Sequence, residues 1–501
     1  MIRDENLPVY LTCISEVLKG TIRTELQSDY SRAVIDAIVD SLGRLIAQTG
    51  AGREIAAQQL GAWTELEQAL GALIPHAGPI LAAQTQPETD PLRAVEQISS
   101  RLDESLRDEA VFKQLVSGLR ERDGAAKTWF ANASRTLNDL LQAVDEHQYR
   151  PIGRKGAHSV ADNLEELTAR LNAYLHNKYP GLPEVPIADI RILPGGQIKR
   201  TALFRLKDNE ILPTRLVLRQ DMDMEYTGTT VTDEFGHIER VHALGLPVPK
   251  PILVEHNPDV LGSGGCFMIM TEVQNAQPAG TYFSEDRAHV GHTMGPDFGR
   301  EVAATIAKLH GLTQEKNREA GRLASQQRND AIDKIRTTWH KQPKPPFVLG
   351  VELGLAWMDA NPLGDDRPYC LRHGDLGSHN MMTRDGHLAA LIDWELCGMG
   401  DPAADLAQLK MMLMDSLMPW EEFKKIYIAE GGPPDACDDH AVSFYCIWAY
   451  VMHTSMATSL WSNFIQGNRV DAQAAQVASH SMGRLTLYQS RALVTALDLV
   501  K

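Results

Sequence analysis

His373-Gly374-Asp375-Leu376-Gly377-Ser378-His379-Asn380, followed by Leu391-Ile392-Asp393-Trp394-Glu395, is the most specific pattern in this 501-residue chain. Asp375 and Asn380 stand five residues apart in a window without helical or strand periodicity, so they belong to a loop. Asp393 comes eighteen residues after Asp375 (393 − 375), at the end of an apolar run, Leu388–Ile392, that reads as a strand. Phosphoryl transfer to a hydroxyl needs these groups. One carboxylate takes or orients the acceptor's proton, while a second carboxylate and an amide oxygen hold Mg2+ on the phosphates. The bland alternative is a buried His-Asp turn that caps a helix.

Upstream lies a segment of different texture. Pro180, Pro183, Pro186 and Pro194 mark a boundary. After it, Thr201–Leu206, Arg215–Arg219 and Cys266–Val273 read as strands around one helix, Asp233–Leu244, which predicts a small mixed lobe. Gly195 and Gly196, in Leu193-Pro194-Gly195-Gly196-Gln197, allow either a hairpin turn or a close backbone approach to phosphate. There is no G-x-x-x-x-G-K-[ST], which argues against a P-loop fold. Arg219 ends the apolar run Leu216-Val217-Leu218 and could clamp phosphates bidentately or sit on a strand edge.

The first 178 residues read as helical. Apolar stripes at helical spacing run through Tyr30–Ile46, through Trp129–Val144, and through Leu164, Leu167, Leu171 and Leu175, as in a small bundle. From about Asn275 the pattern is helical again, with Phe298–His310 amphipathic, interrupted by the segment Tyr369–Leu396. The predicted organisation is therefore residues 1–178, a helical N-terminal domain; 179–274, a nucleotide-binding small lobe; and 275–501, a helical lobe with the catalytic loop and acceptor site.

A net charge of −16 opposes a nucleic-acid-binding surface. The six cysteines form no C-x-x-C pair, which points to neither a zinc site nor a disulfide framework and fits the cytoplasm. No apolar run approaches the length of a membrane span, and the N-terminus does not read as a signal peptide.

The pattern H-G-D-x-x-x-x-N at His373–Asn380, Ile392-Asp393-Trp394-Glu395 and Gly400-Asp401-Pro402-Ala403-Ala404-Asp405-Leu406 resembles the aminoglycoside phosphotransferase and choline kinase family. The resemblance spans about residues 190–490. Within the family it looks closest to the kinase-like domain fused to some acyl-CoA dehydrogenases and its bacterial relatives. It implies an α+β, bilobal protein-kinase-like fold, with a small β-rich lobe and a helical lobe, preceded by an all-α domain. It also implies an ATP- and Mg2+-dependent small-molecule kinase. On that resemblance Asp375 is the base, His373 braces the catalytic loop, and Asn380 and Asp393 hold the metal. Gly195 and Gly196 approach the phosphates, Arg219 is positioned by Glu234, and the backbone at Glu272 and Val273 meets the adenine. Ile198-Lys199-Arg200 departs from the family's S-N at this loop. The implied acceptor is a hydroxyl on a metabolite, such as a hydroxyacyl thioester or a phenol. A protein kinase and a catalytically silent nucleotide-binding scaffold are the alternatives. The N-terminal helices are expected to serve assembly, as a homo-oligomer or with a partner subunit, or to cap the acceptor site.

Overall fold

In the computed structural model the described residues are 51–82, 88–146, 164–193, 199–222, 229–262, 265–280, 294–315, 318–345, 347–412, 417–466 and 482–499, with scattered positions before 51. Along the chain come α1 (Ala51–Leu73), α2 (Ala77–Ala82), α3 (Pro91–Arg107), α4 (Glu109–Arg120), α5 (Gly124–Glu146) and α6 (Leu164–Lys178). Next are β1 (Ile187–Ile192), β2 (Lys199–Leu206), β3 (Arg215–Asp221), α7 (Val231–Ala243), β4 (Pro251–Glu255), β5 (Phe267–Thr271) and β6 (Gln277–Pro278). Then follow α8 (Phe298–Thr313), α9 (Arg318–Lys341), α10 (Leu349–Ala360), β7 (Cys370–Arg372), β8 (Met381–Arg384), β9 (His387–Leu391) and β10 (Gly398–Gly400). The chain closes with α11 (Ala403–Met412), α12 (Trp420–Ala429), α13 (Asp439–Ile465) and α14 (Met482–Leu499).

Two compact units result. One comprises residues 1–152, 325–365 and 439–501; the other comprises 153–324 and 366–438. This differs from the boundaries expected at 178 and 274. The first unit is a helical bundle centred on α10, whose residues Leu349 to Met358 are all buried. A helix that is apolar on every face can only be an interior helix, and α10 packs against α3, α4, α5, α13 and α14. Gly354 makes this possible: a Cβ there would lie 2.7 Å from Val451 Cγ2 of α13. The expected stripe in α5 is present, with Trp129, Phe130, Ala133, Leu137, Leu140, Leu141 and Val144 all buried. The stripe in Tyr30–Ile46 lies largely outside the described residues.

Helix α6, assigned by sequence to the N-terminal bundle, belongs to the second unit. Its Leu167, Leu171 and Leu175 share one core with Ile187, Phe204, Leu218 and Phe267 of the sheet. Asn172 accepts the Ile187 N–H at 2.9 Å, and the Tyr174 hydroxyl donates to Glu255 at 2.8 Å. A leucine stripe specifies burial but not its partner, and here the nearest unfilled apolar surface is the sheet.

That sheet is antiparallel, in the order β1-β2-β3-β5-β4, with α7 packed on β3, β4 and β5. β4 begins at Pro251 and occupies an edge, where a missing N–H is tolerated. Thr230 caps α7 in a reciprocal capping box with Asp233. Below the sheet in sequence, the β8–β9 hairpin, the β7–β10 pair and helices α8, α11 and α12 make the helical lobe. This is the α+β kinase-like arrangement. Among the described residues no helix is long and apolar enough to cross a membrane.

Candidate active site

The catalytic loop is held from beneath by one buried carboxylate. Asp405, near the start of α11, accepts the His373 N–H at 2.7 Å, the Gly374 N–H at 2.9 Å and His310 Nε2 at 3.2 Å. Burial opposes its ionisation, but His310 and nearby Arg372 hold it below the usual carboxylate range. His310 in turn meets the Tyr427 hydroxyl at 2.8 Å, so α8 and α12 both anchor the loop. Gly374 has φ +86°, and a Cβ there would sit 2.1 Å from the Leu396 carbonyl oxygen, so only glycine fits.

His373 is fully buried. The Asp375 N–H donates to its Nδ1 at 3.2 Å, which leaves Nε2 as the protonated nitrogen, donating to the Ile392 carbonyl at 3.0 Å. Burial lowers its pKa. Both ring nitrogens are thus committed to the loop and to the chain before Asp393.

Asp375 is gripped at both oxygens. Gln408 Nε2 donates to Oδ1 at 3.0 Å, and Asn380 Nδ2 donates to Oδ2 at 2.7 Å. His379 Nε2 lies 3.3 Å from Oδ2. Asn380 Nδ2 also reaches the Asp375 carbonyl at 3.0 Å, so its amide oxygen is the atom left to act as a ligand. The β8–β9 hairpin then brings Asp393 back: Met381 pairs with Leu391, and the Ile392 N–H donates to the Asn380 carbonyl at 3.0 Å. Asp393 itself is left-handed, at φ 65° and ψ 67°, an uncommon conformation for a non-glycine residue.

From the small lobe, Arg219 on β3 reaches Asp393 at 2.9 Å, Glu234 at 3.3 Å and Glu395 at 3.5 Å. Burial works against its charge, yet Asp393, Glu234 and Glu395 together hold the guanidinium above its ordinary pKa. Glu395 is pushed up by burial and by Asp393. Lys199 joins the same group, 3.0 Å from Glu234 and 3.3 Å from Glu395.

Asp375, Asn380, Asp393, Arg219 and Glu234 therefore converge. Gly195 and Gly196 lie outside the described residues. Glu272 and Val273 line a separate cavity of about 400 Å³ with Pro249, Asn275, Arg384 and Ala390. The Glu272 N–H donates to the Arg215 carbonyl at 3.1 Å, so it is already taken. Sequence reasoning gave no role to Lys199, Gln408 or Glu395. Lys199 stood out only as a departure from a resembled motif, and Gln408 left no signal because its partner is 33 residues away.

A family model described as "Phosphotransferase enzyme family" matches residues 189–437. Among curated proteins, "Acyl-CoA dehydrogenase family member 11" of Rattus norvegicus is 26% identical over 187 residues, 36% of this chain and 22% of that protein. Its counterpart in Homo sapiens is 27% identical over 186 residues, again 36% and 22%. The chain thus spans about a fifth of the length of these relatives. Among solved structures, the choline kinase LicA from Streptococcus pneumoniae has 15% identity and a TM-score of 0.45, covering 68% of this chain and 100% of that one. The macrolide 2'-phosphotransferase MphH from Brachybacterium faecium has 16% identity and a TM-score of 0.38, covering 62% and 97%. The stretch that matches the phosphotransferase enzyme family, residues 189–437, contains the Asp375–Asn380 loop and the hairpin that returns Asp393.

Proposed function

We propose that this protein transfers the γ-phosphate of ATP, with Mg2+, to a hydroxyl of a small molecule. The observation that carries this reading is the grip of Gln408 and Asn380 on the two oxygens of Asp375, on a loop joined to Asp393 by the β8–β9 hairpin. A carboxylate oriented in that way is suited to accept or align a hydroxyl proton. Among the described residues no three His, Cys, Asp or Glu side chains gather as a metal site. Asn380 and Asp393 offer two hard oxygen donors instead. That suits Mg2+, which usually takes one or two protein ligands and fills its shell with phosphate oxygens and water. When bound, the ion would neutralise charge on the transferring phosphate. Arg219 would hold the α/β-phosphates, Glu234 would position it, and the Gly195-Gly196 backbone would approach the phosphates. The Glu272–Val273 backbone is our proposed adenine contact.

A compact acceptor is supported by the chain after Asp393. A short turn (Trp394–Leu396) and β10 occupy it, and α11 begins at Ala403. No stretch is left there for a peptide-seating loop, which an extended peptide requires. We propose a metabolite alcohol, phenol or hydroxyacyl-type compound. The support is the name of the curated relatives, of whose length this chain spans about a fifth. We also propose a cytoplasmic location, from the scattered cysteines.

The test is incubation with γ-labelled ATP and clarified lysate, split into protein and metabolite fractions. Label is expected in metabolites and absent with Asp375→Asn. Label confined to proteins would make this a protein kinase. Nucleotide binding without any transfer would make it a scaffold.

A further inference from the structure

Lys199 opens β2, and its side chain is only 2% exposed. The antiparallel register sets Lys199 opposite Asp221 and Thr201 opposite Arg219. Alternation along both strands then turns Lys199, Arg219 and Asp221 to one face of the sheet. The charged groups around Lys199 come from three other elements. They are Arg219 and Asp221 on β3, Glu234 on α7, and Glu395 with Asp393 just after β9. Burial raises Asp221, which also caps α7 by accepting the Val231 N–H at 3.0 Å.

The two cations are held differently. Lys199 Nζ is sealed between Glu234 Oε2 at 3.0 Å and Glu395 Oε2 at 3.3 Å. Arg219 spreads one nitrogen, Nη2, over three carboxylates between 2.9 and 3.5 Å. Its Nε is buried with no hydrogen-bond partner, so the guanidinium has donor capacity to spare. It is also the more exposed of the two, at 12%. Its shortest contact is Asp393, the carboxylate that the functional reading reserves for the metal.

We propose that Lys199 is a positioning residue that neutralises Glu234 and Glu395 and so leaves Arg219 free to exchange Asp393 for the nucleotide phosphates. This rests on the nucleotide-dependent phosphotransfer proposed above. Without Lys199, Arg219 alone would face three carboxylates, of which Glu234 is fully buried and Glu395 and Asp393 are partly exposed. An uncompensated buried carboxylate is strongly unfavourable, so the guanidinium would be drawn inward onto Glu234 and Glu395. The spare Nε and the partial exposure would then be lost to the ligand. Lys199 acts through Arg219 and does not itself touch the phosphates.

The test uses the full chain and measures the affinity for ATP with Mg2+ by calorimetry. Lys199→Met should weaken binding about tenfold, and Lys199→Arg by no more than about threefold. Adding Glu395→Gln to Lys199→Met removes the excess negative charge and should restore most of the affinity. In an Arg219→Met background, Lys199→Met should add little, because the residue through which it acts is gone. If Lys199→Met does not fold, Lys199→Arg and the Lys199→Met/Glu395→Gln pair still decide. Wild-type-like affinity in Lys199→Met, no rescue by Glu395→Gln, or losses that simply add to those of Arg219→Met would each overturn the assignment. A wild-type chain that binds no nucleotide would instead overturn the functional reading beneath it.

Discussion

Asp405→Asn should uncouple the catalytic loop from the helices that support it. Asp405 is fully buried and receives the His373 N–H at 2.7 Å, the Gly374 N–H at 2.9 Å and His310 at 3.2 Å. An asparagine keeps one acceptor oxygen and turns an NH2 toward the remaining donors. At least one buried backbone N–H then loses its partner, which costs about 1–3 kcal/mol, and the surviving bonds lose their charge assistance. The sum is about 3–5 kcal/mol, the usual range when one partner of a buried charged network is removed. Turnover should fall about 100-fold, since loop shifts of about 1 Å have that effect on catalysis. The pH dependence has a definite sign. Because the folded-state pKa is depressed, the stability Asp405 carries is present above the unfolded value near 3.8 and is lost as pH falls through the lower folded value. The gap between wild type and variant in urea midpoint should therefore be full at pH 7 and shrink below the usual carboxylate range. A loss under about 1 kcal/mol at pH 7 with turnover unchanged would refute the bracing role.

Asp375→Asn should leave ATP binding nearly intact while turnover falls more than tenfold; separate measurements of nucleotide affinity and kcat check this. Asp393→Ala should abolish Mg2+-dependent nucleotide binding, and Arg219→Ala should weaken it less, as titrations with and without the metal would read. Gly354→Val should lower the melting temperature by several degrees, because its Cβ falls 2.7 Å from Val451 and overpacking of that kind costs about 1–3 kcal/mol. In α3, burial and Glu352 push Asp103 up to about 7. The folded chain then keeps a proton that the unfolded chain releases near 3.8, so this stability is present at low pH and is lost as pH rises through about 7. Asp103→Asn should flatten that fall in a series of denaturation midpoints, and an unchanged slope would show Asp103 ionised throughout.

The candidate site was legible in the sequence where its residues are close along the chain. Asp375 and Asn380 share one loop, and a single hairpin returns Asp393, so residue spacing alone determines that the three meet. The chain Leu216-Val217-Leu218-Arg219 and the helix bearing Glu234 were also readable as elements, because strand and helix periodicities are local properties. Their partnership was less determined. Lys199 enters the Arg219–Glu234 cluster through β2–β3 register, and its neighbour Glu395 is 196 residues away (395 − 199). Gln408 and His310 reach the loop in the same way, across folded distance. The helices show the limit most plainly. Apolar stripes in α5 and α6 determined that each would be buried, but hydrophobic attraction is non-directional and names no partner. Only tertiary packing decided that α6 would close the core of the sheet. Packing likewise placed α10, α13 and α14 in one bundle with α3, α4 and α5, because the free energy depends on how whole surfaces fit together.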